Sequence, residues 1–287
     1  MTTHIVEAPA KINLTLAVVG KRDDGYHRLV SVMAALDLAD RLTVTAVDGG
    51  DVSLTCDDPS LPVDESNLVV RAAMALRRAT GVAKGARIHL EKRIPVAAGL
   101  GGGSSDAAAA LIGLGAAWGV ELSPRELTSL AVGLGADVPF FLGTPLALVE
   151  GIGERLTAIP PVEPFHLLLV KPTFGVAAAD AYRGASFSFA PRPVDPAFVD
   201  AFASGDPALA AAFMRNDLEP WVLATHPALA AMKRRLIATD PAPTATLMSG
   251  SGSTLFALYR SAEEARRGAD TWRGEEGAFV AVAETRT

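Results

Sequence analysis

Four of the five residues from Gly99 to Gly103 are glycine, and this cluster limits the possible folds more than any other feature of the 287-residue chain. Before it, Arg87–Lys92 alternates apolar and polar residues, which predicts a half-buried strand. After it, the small-residue run Ser104–Trp118 predicts a helix. Glycines leave few side chains to block a close approach to the backbone. The chain is therefore predicted to contain a strand, an open loop and a helix in succession.

The glycine cluster has the physical properties of a phosphate-binding loop. Consecutive N–H groups can surround an anion, and the dipole of a helix favours negative charge at its N-terminus. With Ser104 or Ser105 capping the helix, Pro95–Ser105 is predicted to bind phosphate. A mobile glycine linker is the alternative that the glycines alone leave open. The Walker pattern does not fit because it ends in Gly-Lys-Ser/Thr, and the dinucleotide fingerprint needs Gly or Ala where this chain has Ser104.

Two charged residues stand among apolar neighbours and are candidates for phosphoryl transfer. Lys11 and Asn13 are two positions apart, so in a strand their side chains share one face. Asp137 lies between small and apolar residues at the predicted end of a helix. A lysine can neutralise phosphate oxygens, and an aspartate can orient or deprotonate an acceptor hydroxyl. The alternatives are a surface lysine on an edge strand and an ordinary turn aspartate.

Charge and composition exclude several classes of function. The formal net charge is −6 and the pI is about 5.4, without a broad basic patch, so we expect no nucleic-acid partner. The N-terminus shows no signal-peptide pattern, and the apolar run Ala107–Val120 is too short to span a membrane. We therefore expect a cytoplasmic protein without a membrane partner. Cys56 is the single cysteine, which excludes an internal disulfide and disfavours a Cys/His metal cluster. Metal ligands stay unknown at this point, as does the oligomeric state.

Three segments resemble the three sequence motifs of the GHMP kinases, in the same order along the chain. They are Pro9–Leu14, Pro95–Ser105 and Met248–Thr254. The resemblance implies an α+β fold of two domains: an N-terminal domain like ribosomal protein S5 domain 2 at residues 1–158, and a C-terminal ferredoxin-like α/β domain at residues 159–287. It also implies ATP and Mg²⁺ as cofactors. A tight turn before a strand is the alternative for the third segment.

Further segments are similar to the GHMP kinases that act on a cytidine diphosphate-linked methylerythritol in non-mevalonate isoprenoid synthesis. They are Lys21–His27, Leu134–Phe140, Glu150–Glu154 and Asn216–Glu219. This resemblance implies that ATP phosphorylates the 2-hydroxyl of that small molecule. A GHMP kinase for mevalonate-like alcohols or homoserine is one alternative, and a non-catalytic protein of the same fold is another.

The same resemblance implies roles for residues that bind ATP and transfer its phosphoryl group. Lys11 and Asp137 match the catalytic pair, and Asn13 lies with Asp137 beside the acceptor site. Asn67 and Leu68 fall near the adenine pocket. The residues matching the ATP-phosphate loop are Pro95, Val96, Ala97, Ala98, Gly99, Leu100, Gly101, Gly102, Gly103, Ser104 and Ser105.

Three aromatic or imidazole side chains are implied to bind the cytidine of the substrate. Tyr26 and His27 match the recognition segment of the family, where an aromatic face stacks on a base and an imidazole both donates and accepts hydrogen bonds. Without the resemblance, these two residues are typical of a turn after Gly25. Tyr182 is a candidate second wall of the cytosine pocket, and a core-facing helical tyrosine is its alternative.

Overall fold

A computed structural model of the chain describes residues 2–160, 163–189, 194, 196–274 and 277–287. Over these residues strands and helices are mixed, which confirms the predicted α+β class. The strands are β1 (Thr3–Lys21), β2 (His27–Val47), β3 (Val52–Cys56), β4 (Gly85–Glu91), β5 (Leu146–Gly151), β6 (Arg155–Ala158), β7 (His166–Lys171), β8 (Arg215–Asn216), β9 (Ala245–Met248), β10 (Leu255–Tyr259) and β11 (Phe279–Glu284).

The α-helices are α1 (Leu68–Thr80), α2 (Gly102–Trp118), α3 (Pro124–Leu134), α4 (Ala178–Gly184), α5 (Pro196–Ala203), α6 (Pro207–Ala211), α7 (Glu219–Thr225), α8 (Pro227–Ile237) and α9 (Ala262–Asp270). A short 3-10 helix covers Val138–Leu142. Within the described ranges, no helix is long and apolar enough to cross a membrane.

The chain divides into two compact units that are interleaved in sequence. Unit 1 comprises Met1–Ala10, Leu38–Ile94 and Gly101–Gly143, and unit 2 comprises Lys11–Asp37, Pro95–Leu100 and Thr144–Thr287. Strands β1 and β2 contribute residues to both units. The predicted domain boundary after residue 158 is a different division, inside the last segment of unit 2, and stays a prediction. Residues 161–162, close to that boundary, lie outside the described residues.

Unit 1 combines helices α1, α2 and α3 with strands β3 and β4 and with parts of β1 and β2. Strand β4 pairs in parallel with β3 and antiparallel with β2, with Arg41 opposite Glu91. Helix α1 begins at the cap residue Asn67 and ends at Gly81, which has the left-handed backbone that favours glycine. Helix α3 begins with a capping box, in which Ser123 and Glu126 bond to each other's backbone N–H groups. The small residues of α2 are buried on several sides, so α2 lies in the core of this unit.

Unit 2 contains a four-stranded sheet in the order β11-β7-β10-β9. Strand β7 is central and antiparallel to both neighbours, with Val170 opposite Leu255 and Lys171 opposite Phe279. The apolar runs of β7 and β10 are buried on both faces, as expected for central strands. In the same unit β1 pairs in parallel with β8, β2 pairs with β5, and β5 pairs with β6.

Candidate functional site

The Lys11 ammonium lies in the interior of unit 2. The side chain is on β1 and the residue is only 3% exposed. Its Nζ donates hydrogen bonds to Asn13 Oδ1 at 2.7 Å and to the Gly99 carbonyl oxygen at 3.1 Å. The alternative of a surface lysine is therefore wrong. The predicted sharing of one strand face by Lys11 and Asn13 is confirmed, because their side chains are in contact.

Neighbouring strands fix the orientation of the Asn13 amide. Asn13 Nδ2 donates to Ser31 Oγ at 2.9 Å, and Ser31 Oγ donates to the Thr15 carbonyl oxygen at 2.6 Å. Since the amide nitrogen is engaged with Ser31, its oxygen faces Lys11. The ammonium is thus held by a chain of buried hydrogen bonds, and a well-ordered position of this kind suits a group that must neutralise charge during a reaction.

The first part of the glycine-rich loop, in unit 2, packs tightly on the third motif. Gly99 has a φ of +73°, and a Cβ at this residue would lie 2.2 Å from the Ser249 carbonyl oxygen, so the close approach requires glycine. Ser249 Oγ donates to the Gly99 carbonyl oxygen at 2.9 Å. A Cβ at Gly250 would lie 3.3 Å from both Lys11 Nζ and Asn13 Oδ1. The third motif is therefore more than a tight turn before β10, because Gly250 lies against the Lys11 side chain and Ser249 bonds to the loop.

Asn216 supports the third motif from β8. Its Nδ2 donates to the carbonyl oxygens of Met248 and Gly250, at 2.8 and 2.7 Å. Its Oδ1 accepts a hydrogen bond from the Leu218 backbone N–H at 2.9 Å. In the sequence Asn216 marks only a resemblance, and this structural role is not evident from any local pattern.

In the second part of the loop, which belongs to unit 1, the helix starts earlier than predicted. Helix α2 begins at Gly102, and its cap residue is Gly101, with a φ of +72° and no side-chain capping bond. Neither Ser104 nor Ser105 caps the helix, because the left-handed turn at Gly101 starts it earlier and places both serines in its first turn. The Ser105 Oγ is buried and has no hydrogen-bond partner among the described residues.

The adenine candidates lie at the start of α1. Asn67 caps this helix, with its Oδ1 accepting from the Val69 N–H at 2.9 Å and its Nδ2 donating to the Pro62 carbonyl oxygen at 2.7 Å. A Cβ at Gly103 would lie 3.7 Å from Leu68 Cδ1. Within unit 1, Leu68 therefore adjoins the first turn of α2, next to the glycines of the loop.

Asp137 follows α3 in a turn and immediately precedes the 3-10 helix at Val138. This turn is close to the first turn of α2, because a Cβ at Gly135 would lie 3.8 Å from Ser104 Oγ. Asp137 belongs to unit 1 and Lys11 to unit 2. Their action as a catalytic pair stays a prediction.

The structure brings His27 and Tyr182 together in unit 2. Their rings are stacked with centroids 5.2 Å apart, and Phe187 meets the His27 ring edge-on at 5.1 Å. Burial, followed by the charge of Lys21, lowers the pKa of His27, so the neutral form of its imidazole predominates at pH 7. Tyr26 is 60% exposed. Phe187 was missed from the sequence, where nothing distinguishes it from other phenylalanines.

A buried ion cluster in unit 1 was also missed. Lys92 Nζ donates to Asp106 Oδ2 at 2.8 Å and to a carboxylate oxygen of Asp40. The other Asp40 oxygen accepts from the backbone N–H groups of Arg93 and Ile94, at 2.5 and 2.8 Å. Burial raises the pKa of Asp106 to about 7 despite the opposing charge of Lys92, and the Asp40 carboxylate adds to the increase.

In the described part of the chain, no group of three or more His, Cys, Asp or Glu side chains is placed to hold a metal ion. Mg²⁺ prefers oxygen ligands and, in kinases, is bound through the nucleotide phosphates with one or two protein groups.

Comparison with known proteins agrees with this geometry. Residues 67–144 match the N-terminal domain of GHMP kinases, and residues 198–277 match the C-terminal domain of that family. The 4-diphosphocytidyl-2-C-methyl-D-erythritol kinase of Pelotomaculum thermopropionicum is 47% identical over 93% of this chain and 92% of its own length. The enzyme of that name from Geobacter metallireducens is 41% identical over 98% of both chains.

Solved structures give the same result. A crystal structure of 4-(cytidine 5'-diphospho)-2C-methyl-D-erythritol kinase is 38% identical, covers 99% of this chain and 100% of its own, and has a TM-score of 0.82. A homoserine kinase from Cytophaga hutchinsonii shares the fold, with a TM-score of 0.76 at 22% identity over 99% of this chain and 95% of its own. The chain belongs to the GHMP kinases and, within them, to the 4-diphosphocytidyl-2-C-methyl-D-erythritol kinase family.

Proposed function

We propose that this chain transfers the γ-phosphoryl group of ATP to the 2-hydroxyl of 4-diphosphocytidyl-2-C-methyl-D-erythritol, in the non-mevalonate route to isoprenoid precursors. Relatives with the name of that kinase are 38–47% identical over about nine-tenths of the chain or more. The structural observation that supports the proposal most is the buried Lys11 ammonium, hydrogen-bonded to the Gly99 carbonyl oxygen of the glycine-rich loop.

The nucleotide is proposed to bind at the glycine-rich loop with Mg²⁺. The first-turn N–H groups of an α-helix have no partners within the helix, so the start of α2 at Gly102 offers donors to phosphate oxygens. Asn67 and Leu68 are proposed to border the adenine. When bound with ATP, Mg²⁺ would supply part of the positive charge that neutralises the phosphates.

The reaction forms a bond between the acceptor oxygen and the γ-phosphorus and breaks the bond from that phosphorus to the bridging oxygen of ADP. Lys11 is proposed to neutralise charge on the transferred group. Asp137 is proposed to orient the acceptor hydroxyl and to receive its proton. Because the transition state of phosphoryl transfer is largely dissociative, the placement of these groups contributes more than strong basicity.

The cytosine of the acceptor is proposed to bind between aromatic side chains near His27. A neutral imidazole can donate one hydrogen bond and accept another, which matches the mixed edge of a pyrimidine. Tyr182 and the exposed Tyr26 offer aromatic faces for stacking. Asn13 is proposed to contact the acceptor beside Lys11.

A substrate panel tests the proposed function. The purified protein is assayed with Mg·ATP and, in separate reactions, the cytidyl diphosphate alcohol, mevalonate and homoserine. We expect kcat/KM for the cytidyl compound to exceed that for the other two by more than about a thousandfold, because a site that hydrogen-bonds a base is left with unpaired polar groups by a ligand without one. A preference for mevalonate or homoserine would reject the proposal. ATP binding without transfer to any acceptor would favour a non-catalytic protein.

A further inference from the structure

Lys171, the last residue of β7, has a buried ammonium group whose partners are carbonyl oxygens. The residue is 6% exposed, and its Nζ donates to the carbonyl oxygens of Pro172 at 2.9 Å and Phe174 at 3.3 Å. No carboxylate among the described residues forms an ion pair with it. Burial lowers the pKa of Lys171. A buried cation costs free energy, and an apolar side chain would fill the same space without that cost, so folding alone does not account for it.

The Phe174 carbonyl oxygen joins Lys171 to the third motif. It also accepts a hydrogen bond from Ser253 Oγ at 2.6 Å. The next residue, Thr254, donates its backbone N–H to the Ala98 carbonyl oxygen at 3.1 Å. Lys171 and the glycine-rich loop are therefore connected through two adjacent residues of the third motif.

The turn 172–175, which contains Phe174, also contacts the loop directly at Ala97. Ala97 has a φ of +51°, which residues other than glycine rarely adopt, so the surrounding structure must hold its backbone in this conformation. A Cβ at Gly175 would lie 2.5 Å from Ala97 Cβ, which shows how closely the turn 172–175 approaches. The two contacts, at Ala97 and at Ala98, hold the loop just before Gly99.

We propose that Lys171 is a positioning residue that fixes the turn 172–175 and, through Ser253, holds Ala97–Gly99 in the conformation that binds the phosphates of ATP. The Gly99 carbonyl oxygen accepts from Lys11 Nζ, so displacement of the loop would also displace the catalytic lysine. The expected change in kinetics rests on the proposed function, whereas the expected change in ATP affinity requires only that the protein binds ATP.

The test compares Lys171→Met with Ser253→Ala and with the double variant. We expect the Kd for ATP, measured by calorimetry on the folded protein, to rise at least tenfold in Lys171→Met. The KM for ATP should rise and kcat should fall in parallel, while the KM for the cytidyl substrate changes less than twofold. Because both residues act on the Phe174 carbonyl oxygen, the double variant should be no weaker in ATP binding than the worse single variant.

The control is Tyr259→Phe, which removes a buried hydrogen bond to Thr239 in the same unit, away from the loop. Tyr259→Phe should lower the melting temperature and leave the Kd and the KM for ATP unchanged. ATP binding by folded Lys171→Met within twofold of the wild type, or fully additive effects, would overturn the inference. If Lys171→Met does not fold, an ATP Kd raised at least threefold in Ser253→Ala supports the inference and an unchanged one overturns it. An inactive wild type with tight ATP binding rejects the proposed substrate but leaves this test valid.

Discussion

The Lys11 ammonium donates a hydrogen bond to the Gly99 carbonyl oxygen, which lies 88 positions further along the chain. This bond joins the lysine of the first motif to the glycine-rich loop of the second. The bond fixes the position of the ammonium, which is what the proposed role of Lys11 in neutralising charge during phosphoryl transfer requires.

Replacing Lys11 with alanine should abolish most of the activity. We expect kcat to fall by about a hundred- to ten-thousand-fold, which is the range for loss of a preorganised catalytic group. Steady-state assays with saturating substrates measure this change, and circular dichroism monitors the fold. Lys84→Ala, at an exposed lysine of unit 1, is the control and should retain activity. A kcat within tenfold of the wild type would remove Lys11 from the catalytic pair.

Asp137→Asn should reduce kcat by a similar factor, because an amide cannot accept the proton of the acceptor hydroxyl. The KM for ATP should change little, since the proposed contacts with phosphate come from the glycine-rich loop. Asp206→Asn is the matched control: Asp206 caps α6, and asparagine caps equally well. Near-normal turnover of Asp137→Asn would show that this carboxylate is dispensable.

His27→Ala should weaken binding of the cytidyl substrate about tenfold, the value of one or two lost hydrogen bonds, and alter the KM for ATP less than twofold. The pKa of His27 lies below its ordinary value of 6.5, so the neutral form predominates from pH 8 down past pH 6.5. Protonation of the imidazole should therefore raise the KM of the wild type for this substrate as the pH falls below 6.5.

Lys21→Ala is the control for the pH dependence of His27. The Lys21 cation contributes to lowering the pKa of His27, so its removal should shift the rise in KM to higher pH. An unchanged pH profile in Lys21→Ala, or equal effects of His27→Ala on both substrates, would contradict the assignment of His27 to the cytosine.

Asp106→Asn should change the pH dependence of stability. The pKa of Asp106 is about 7 in the folded protein and 3.8 ordinarily, so between these values the folded state binds more protons than the unfolded state. The Asp106 contribution to the free energy of unfolding therefore falls as pH rises from about 4 to about 7 and then stays constant. The free energy of unfolding of Asp106→Asn, measured relative to that of the wild type, should therefore increase by more than about 1 kcal/mol between pH 5 and pH 8.

Urea denaturation at pH 5 and pH 8 measures this difference. The control is Asp58→Asn, because the hydrogen bonds from Ser60 lower the pKa of the exposed Asp58 carboxyl. The contribution of Asp58 to the free energy of unfolding is lost only below pH 3.8. The difference in the free energy of unfolding between Asp58→Asn and the wild type should therefore be the same at both pH values. An equally constant difference for Asp106→Asn would show that Asp106 is ionised throughout.

Local patterns correctly predicted the strand before the glycine cluster and the helix after it, which are β4 and α2 in the structure. Local signals also account for helix ends elsewhere. The capping box at Ser123 marks the start of α3, and Gly81 marks the end of α1, because caps depend on residues within one turn of the helix. The prediction failed at Ser104 and Ser105 for a related reason. Serine has a stronger intrinsic preference than glycine for the N-cap position, but the left-handed backbone at Gly101 starts α2 before either serine is reached.

The sequence by itself determined the strand, glycine loop and helix around Gly99, and the placement of Lys11 and Asn13 on one strand face. Both follow from periodicity and backbone freedom, which act over a few residues. Only the tertiary structure decided that Ser249 would hold Gly99, that Tyr182 would stack on His27, and that Lys171 would share a carbonyl oxygen with Ser253. These contacts join residues up to 155 positions apart, and they depend on strand register and on the close approach of loops, which no local pattern specifies.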